Sequence, residues 1–142
     1  FLLVCTCSLL NAFSSFLLNA AGFHDVPKQL LEIFGADVGF NFWIAAFICA
    51  VVVAPVSEEI LFRRVIYQGL KSLHFAHAGL LSAVLFSLCH GLPQAFLSYI
   101  FFSLVLQKAC HKGSLWMAIG LHAGYNLIVF ATLLGKIFFF SA

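Results

Sequence analysis

The sequence predicts an all-α protein, a polytopic transmembrane helical bundle with about five spanning helices in these 142 residues. Three observations lead there. Hydrophobic residues make up 63% of the chain and charged residues 8%, against roughly a quarter charged in a soluble domain. Mean hydropathy is +1.09, which leaves too little polar surface to cover a soluble globule and makes a bilayer the natural solvent. The apolar residues also come in long runs, without the apolar–polar alternation of barrel strands. Because lipid cannot satisfy backbone N–H and C=O groups, such runs must be helices.

The first run extends from Phe1 to about Phe23 and already reads as a helix interior, so further helices are expected before it. No basic n-region or cleavage site marks it as a signal peptide. Asn11, Ser14, Ser15 and Asn19 give it a polar face expected to pack against other helices. A connector from His24 to Val38 follows, and its Gln29–Phe34 stretch suits a short interfacial helix. The chain therefore divides near residue 40, with 1–39 a partial N-terminal membrane helix and connector.

The second run, Phe40 to Val56, leads through Pro55 into Ser57-Glu58-Glu59-Ile60-Leu61-Phe62-Arg63-Arg64. Helical to about Leu73, it would be about 50 Å long, more than a ~30 Å hydrocarbon core. Pro55 is expected to kink or divide it, with Ser57 capping the second part. A third run covers Ala78 to His90 and stops at the turn signal Gly91-Leu92-Pro93. The fourth runs from Gln94 to about Cys110, ahead of Lys112 and Gly113, and the fifth from Ser114 to about Leu134, before a Phe-rich tail. Lys71 and Lys108 fall on one side after two crossings, which favours a cytoplasmic face there.

The net charge of +2 and the lack of a basic cluster exclude nucleic acid as a partner and leave membrane lipid. Cys5, Cys7, Cys49, Cys89 and Cys110 form no CxxC pair and read as small packing residues. His24, His74, His77 and His111 fall in connectors and read as solvated or interfacial.

A few polar residues interrupt the apolar runs in a way that packing does not explain: Glu58, Glu59, Arg63, His90, His122 and Asn126. Ionisable groups at membrane depth cost about 2.5–3.5 kcal/mol each on insertion scales and face a protein interior or an aqueous cavity. At ~1.5 Å per residue, Glu58 lies about 20 Å in from Lys71, His90 about 18 Å in from Ala78, and His122 about 12 Å in from Ser114. Separate helices thus deliver these groups to a similar layer. Glu59 and Arg63 are an i,i+4 pair and should form an ion pair. Glu58, about 100° around the helix, lacks that partner, and an unpaired carboxylate in low dielectric suits a general base. His122 and Asn126, also i,i+4, suit an oxyanion site. Phe86 shares a face with His90 and is expected to pack beneath it. No serine or cysteine stands out as a nucleophile, so hydrolysis by activated water is the expected reaction.

In order, Glu-Glu-x-x-x-Arg (Glu58, Glu59, Arg63), Phe-x-x-x-His (Phe86, His90) and His-x-x-x-Asn (His122, Asn126) resemble the CPBP family. That family contains type II CAAX prenyl endopeptidases, bacteriocin-processing and immunity proteins and other intramembrane proteases of the Abi group. Ala54-Pro55 and Gly113-Ser114-Leu115-Trp116 also resemble its usual context, so residues 40–142 read as a CPBP-type protease core. The resemblance implies an intramembrane glutamate-dependent endopeptidase acting on membrane-associated or prenylated peptides. It implies that Glu58 and His90 activate water, that His122 and Asn126 hold the oxyanion, and that Glu59, Arg63 and Phe86 support them. Its setting would be a multi-pass membrane location, in a bacterial inner membrane or an organellar membrane.

Two glutamates and two histidines could ligate Zn²⁺ in principle. No His-Glu-x-x-His signature is present, and the resemblance implies a metal-free mechanism, so no cofactor is expected. Arg64 stands where the family usually has a small residue, and could meet a lipid headgroup or a substrate carboxylate. Two other readings compete with the protease: a non-catalytic immunity or scaffold protein using the polar cluster for helix packing, and an ion-coupled transporter. A transporter would often show paired broken helices in two halves, and only one Pro-interrupted segment is present.

Overall fold

The computed structural model describes residues 2–20 and 39–140, with side chains described up to residue 135 apart from that of residue 18. Every regular element among the described residues is helical. We number them α1 (Leu2–Ala20), α2 (Phe40–Ser72), α3 (Ala78–Cys89), α4 (Phe96–Lys112) and α5 (Leu115–Phe140). The expected interfacial helix at Gln29–Phe34 lies outside the described residues. Among the described residues, two helices are long and apolar enough to cross a membrane, α2 and the Leu115–Gly135 stretch of α5. Shorter apolar helices are found in α1 and α3. Large apolar side chains such as Leu9, Phe16, Val65, Leu88 and Trp116 are exposed, as a lipid-facing surface requires.

Helix α4 is central and packs against α1, α3 and α5, while α2 lies across α5 and α3. Cys7, Phe62, Phe86, Phe102, Leu106 and Ala118 form the buried core where these helices meet. Serines act as short bridges at the crossings. Ser98 donates to the carbonyl of Cys7, joining α4 to α1, and Ser82 donates to that of Phe62, joining α3 to α2. Small hydroxyl residues permit close approach and give interhelical hydrogen bonds where lipid offers none.

The polar face read for α1 is only partly the one that packs. Cys7 and Ser14, two turns apart, are buried, whereas Asn11 and Asn19 are exposed. Small volume, more than polarity, selects the stripe that meets α4.

Pro55 does not divide α2. A π-helical segment, Ile48–Val53, leads into it, and a second, Ile60–Ile66, follows the glutamates. A proline inside a helix normally costs ~3 kcal/mol or more, through a lost N–H and a clash with the preceding turn. The wider π turn relieves the clash. Ser57 is not a cap: its hydroxyl bonds back to the carbonyls of Val53 (2.9 Å) and Ala54 (3.1 Å) within the continuous helix.

Helix α3 ends with Gly91 in the left-handed region (φ 62°), the usual place for glycine after a helix C-terminus. A single 3₁₀ turn, Pro93–Ala95, then leads into α4. The α4–α5 link is short, and Ser114 accepts the amide N–H of Met117 (3.3 Å) as an N-cap. At the other end of α2, the Tyr67 hydroxyl meets Nε2 of His111 at 2.7 Å. His111 is exposed, as expected, but stands in the last turn of α4 and is tied to α2 rather than lying in a connector. The same contact sets Lys71 and Lys108 at one end of the bundle, as the charge pattern suggests.

Candidate active site

The site begins with the turn Glu58–Arg63 of α2. Glu59 and Arg63 form the i,i+4 ion pair that their spacing predicts, with Nε 2.7 Å and Nη2 3.4 Å from the carboxylate oxygens. Both are buried, Glu59 to 0% and Arg63 to 1% exposure. A buried guanidinium needs its remaining donors satisfied. Nη1 donates to Ser103 of α4 at 2.9 Å, and the Phe86 ring lies 5.7 Å from the guanidinium carbon. Ser103 is invisible to motif reading, because its partner is 40 residues away.

His122 of α5 joins this network from the other side. Its Nδ1 lies 3.0 Å from Oε1 of Glu59, and the side chain is 3% exposed. A carboxylate only accepts, so Nδ1 carries the proton and Nε2 is turned toward Glu58, 3.8 Å from its Oε2. His90 repeats the arrangement. Its Nδ1 donates to the carbonyl of Phe86 at 2.7 Å, and its Nε2 lies 3.8 Å from the same Oε2 of Glu58. Two imidazoles from different helices thus aim the same ring atom at one carboxylate oxygen. That oxygen is buried and makes no hydrogen bond to another protein group among the described residues. A separation of 3.8 Å is too long for a direct hydrogen bond and suits a bridging water.

Aromatic rings hold the histidines in place. His90 lies between Phe86 (4.5 Å between centroids) and Tyr99 (4.2 Å), and His122 meets the Phe102 ring edge-on at 5.2 Å. Phe86 is fully buried, so it packs under His90 as its spacing suggests. Tyr99 was not legible in the sequence, since nothing local links it to His90.

A cavity of about 450 Å³ opens onto this cluster, lined among others by His90, His122, Asn126, Tyr99 and Tyr125, with Asn11 of α1 on its wall. Glu59 is fully buried, whereas the Glu58 side chain is 28% exposed. Asn126 donates from Nδ2 to the carbonyl of Ala50 at 2.8 Å, leaving its second N–H unengaged by that bond. Arg64 is exposed and stands apart from the cluster, as does Cys89. Among the described residues, no group of three or more His, Cys, Asp or Glu side chains is disposed to hold a metal ion.

The structure therefore brings Glu58, Glu59, Arg63, His90 and His122 into one connected cluster, with Phe86 beneath it and Asn126 on the wall of the same cavity. Such a cluster can hold a water between a carboxylate and two imidazoles, beside donors suited to an oxyanion.

The chain is 34% identical over 85 residues to the UPF0177 protein YbdI of Lactococcus lactis subsp. lactis (strain IL1403), covering 58% of this chain and 46% of that protein. It thus spans about half the length of this curated relative. No solved structure matches the chain. Residues 40–128 match the family model for type II CAAX prenyl endopeptidase Rce1-like proteins, a stretch that contains every residue of the cluster. The chain belongs to the Rce1-like family of type II CAAX prenyl endopeptidases.

Proposed function

We propose that this protein is a multi-pass intramembrane endopeptidase that hydrolyses peptide bonds of membrane-associated or prenylated, CAAX-type peptides by water activation. The observation that carries the reading is the pair of histidine Nε2 atoms, each 3.8 Å from the otherwise unbonded Oε2 of Glu58. A water lodged there donates one proton to Glu58 and is oriented by His90, with a lone pair directed to the cavity. Attack on the substrate carbonyl forms the new C–O bond as the proton moves to Glu58. The oxyanion is received by the second N–H of Asn126 and by His122. His122 can donate from Nε2 only when doubly protonated, because Nδ1 is engaged with Glu59. Collapse of the tetrahedral intermediate breaks the C–N bond, and Glu58 returns its proton to the leaving amine.

Glu59 and Arg63 act by orienting His122, and Phe86 by supporting His90. No cofactor takes part in this scheme. The family membership and the two long apolar helices support a membrane setting, bacterial inner or organellar, with lipid around the bundle. Leader peptides and membrane-protein loops suit the same core as prenylated termini.

A second reading has one observation in its favour. Glu59, Arg63, Ser103 and His122 are buried and hydrogen-bonded to one another, as a scaffold or immunity protein would need for packing alone. Cleavage of a fluorogenic peptide panel, prenylated and unprenylated, by purified protein in detergent separates the two. Hydrolysis abolished by Glu58→Gln and by His122→Ala, in folded variants, is the expected result. Silence across the panel with folded wild type would favour the scaffold.

A further inference from the structure

We infer that Pro55 is a positioning residue for Asn126: by supplying no N–H, it leaves the Ala50 carbonyl free to anchor the Asn126 side chain. The argument starts from helix register. In the π-helical segment before Pro55, each carbonyl is served by an N–H five residues on, and the Ala54 N–H accordingly donates to the carbonyl of Cys49. The next donor in that register would be residue 55, bonding to Ala50. Residue 55 is proline, which has no N–H. The α-type donor for Ala50 would be Ala54, already engaged with Cys49. Both helical donors for this carbonyl are therefore lost at once.

An unpaired carbonyl in an apolar helix bundle is costly, so it draws a donor from elsewhere. The donor is Nδ2 of Asn126, 2.8 Å away and 76 residues along the chain. Asn126 and His122 are one turn apart on α5, and both line the cavity. Fixing one N–H of the carboxamide on Ala50 sets the plane of the group and hence the direction of the other N–H. The part assigned to that second N–H rests on the proposed hydrolysis; the Pro55–Ala50–Asn126 linkage does not.

The test is NMR of the whole chain in detergent with labelled asparagine, the Asn126 side-chain signals being assigned by their loss in Asn126→Leu. In wild type, one carboxamide proton of Asn126 exchanges slowly and is shifted by its bond. Pro55→Ala returns an N–H to Ala50, so that proton moves toward the free-amide position and exchanges rapidly. Cleavage by this variant falls about tenfold in kcat at unchanged KM. A second measurement covers failure of Pro55→Ala to fold. With Pro55 intact, Asn126→Leu moves the Ala50 carbonyl ¹³C signal to that of an unbonded carbonyl. Asn126 signals unmoved in a folded Pro55→Ala overturn the inference, as does an Ala50 carbonyl indifferent to Asn126→Leu. If the NMR changes occur in a protein that cleaves nothing, the linkage stands and the hydrolytic reading fails. Activity without the NMR changes gives the reverse.

Discussion

Nδ1 of His122 lies 3.0 Å from Oε1 of Glu59, so a carboxylate on α2 decides which ring nitrogen of a histidine on α5 carries a proton. The same carboxylate holds Arg63 at 2.7 Å. Glu59 thus joins an orienting role to a structural one, and substitution should separate its effects.

Glu59→Gln keeps the shape but removes the charge, leaving Arg63 buried without its ion and offering His122 an amide that can favour the wrong tautomer. Stability should fall by about 3–5 kcal/mol, the usual cost of breaking a buried pair. Cleavage by the surviving folded fraction should fall about 10²- to 10⁴-fold. Thermal unfolding in detergent and kcat on a cleaved peptide measure the two effects.

Glu58→Gln should behave in the opposite way. Its buried Oε2 has no protein hydrogen bond and the side chain is 28% exposed, so neutralising it breaks no bond within the cluster and costs little structurally. The melting temperature is expected to hold or rise, while cleavage falls by about 10² or more with the loss of the base. A variant that unfolds would show that the carboxylate is a structural member of the cluster.

Ser103→Ala tests a residue outside the motifs. It deprives the buried Arg63 Nη1 of its acceptor at 2.9 Å. The expected loss is about 1–3 kcal/mol in unfolding free energy, with activity reduced only as far as His122 is disturbed. An unchanged melting temperature would mean that another acceptor reaches Nη1.

Phe86→Ala opens a cavity at a fully buried ring that contacts both Phe62 and His90. About 3–5 kcal/mol should be lost, and Phe86→Leu should lose less. Because His90 then has Tyr99 on one side only, kcat should fall in both variants, read at a temperature where each is folded.

Chelation should leave hydrolysis intact, since every step of the proposed scheme uses side chains and water. Inhibition by chelator, reversed by added zinc, would overturn that scheme and return the Glu58, His90 and His122 cluster to metal chemistry.

The sequence by itself determined what depends on near neighbours along the chain. Apolar runs set the helices, because lipid leaves the backbone no alternative. The i,i+4 spacings set the Glu59–Arg63 pair and the shared face of Phe86 and His90, because 3.6 residues per turn bring those positions together. Similar depth also indicated that Glu58, His90 and His122 lie in one layer. Only the tertiary structure decided which atoms meet within that layer. That Glu59 orients His122, that Ser103 completes Arg63, that Tyr99 flanks His90 and that Asn126 takes the carbonyl of Ala50 all depend on how α2, α4 and α5 are rotated and spaced. Those rotations follow from the packing of small buried residues such as Ser82, Ser98 and Ala118 at the crossings. The course of α2 through Pro55 belongs to the same class. A proline reads as a break from local rules, yet a π turn within α2 and a carboxamide from α5 accommodate it, and that amide donor is visible only once the helices are packed.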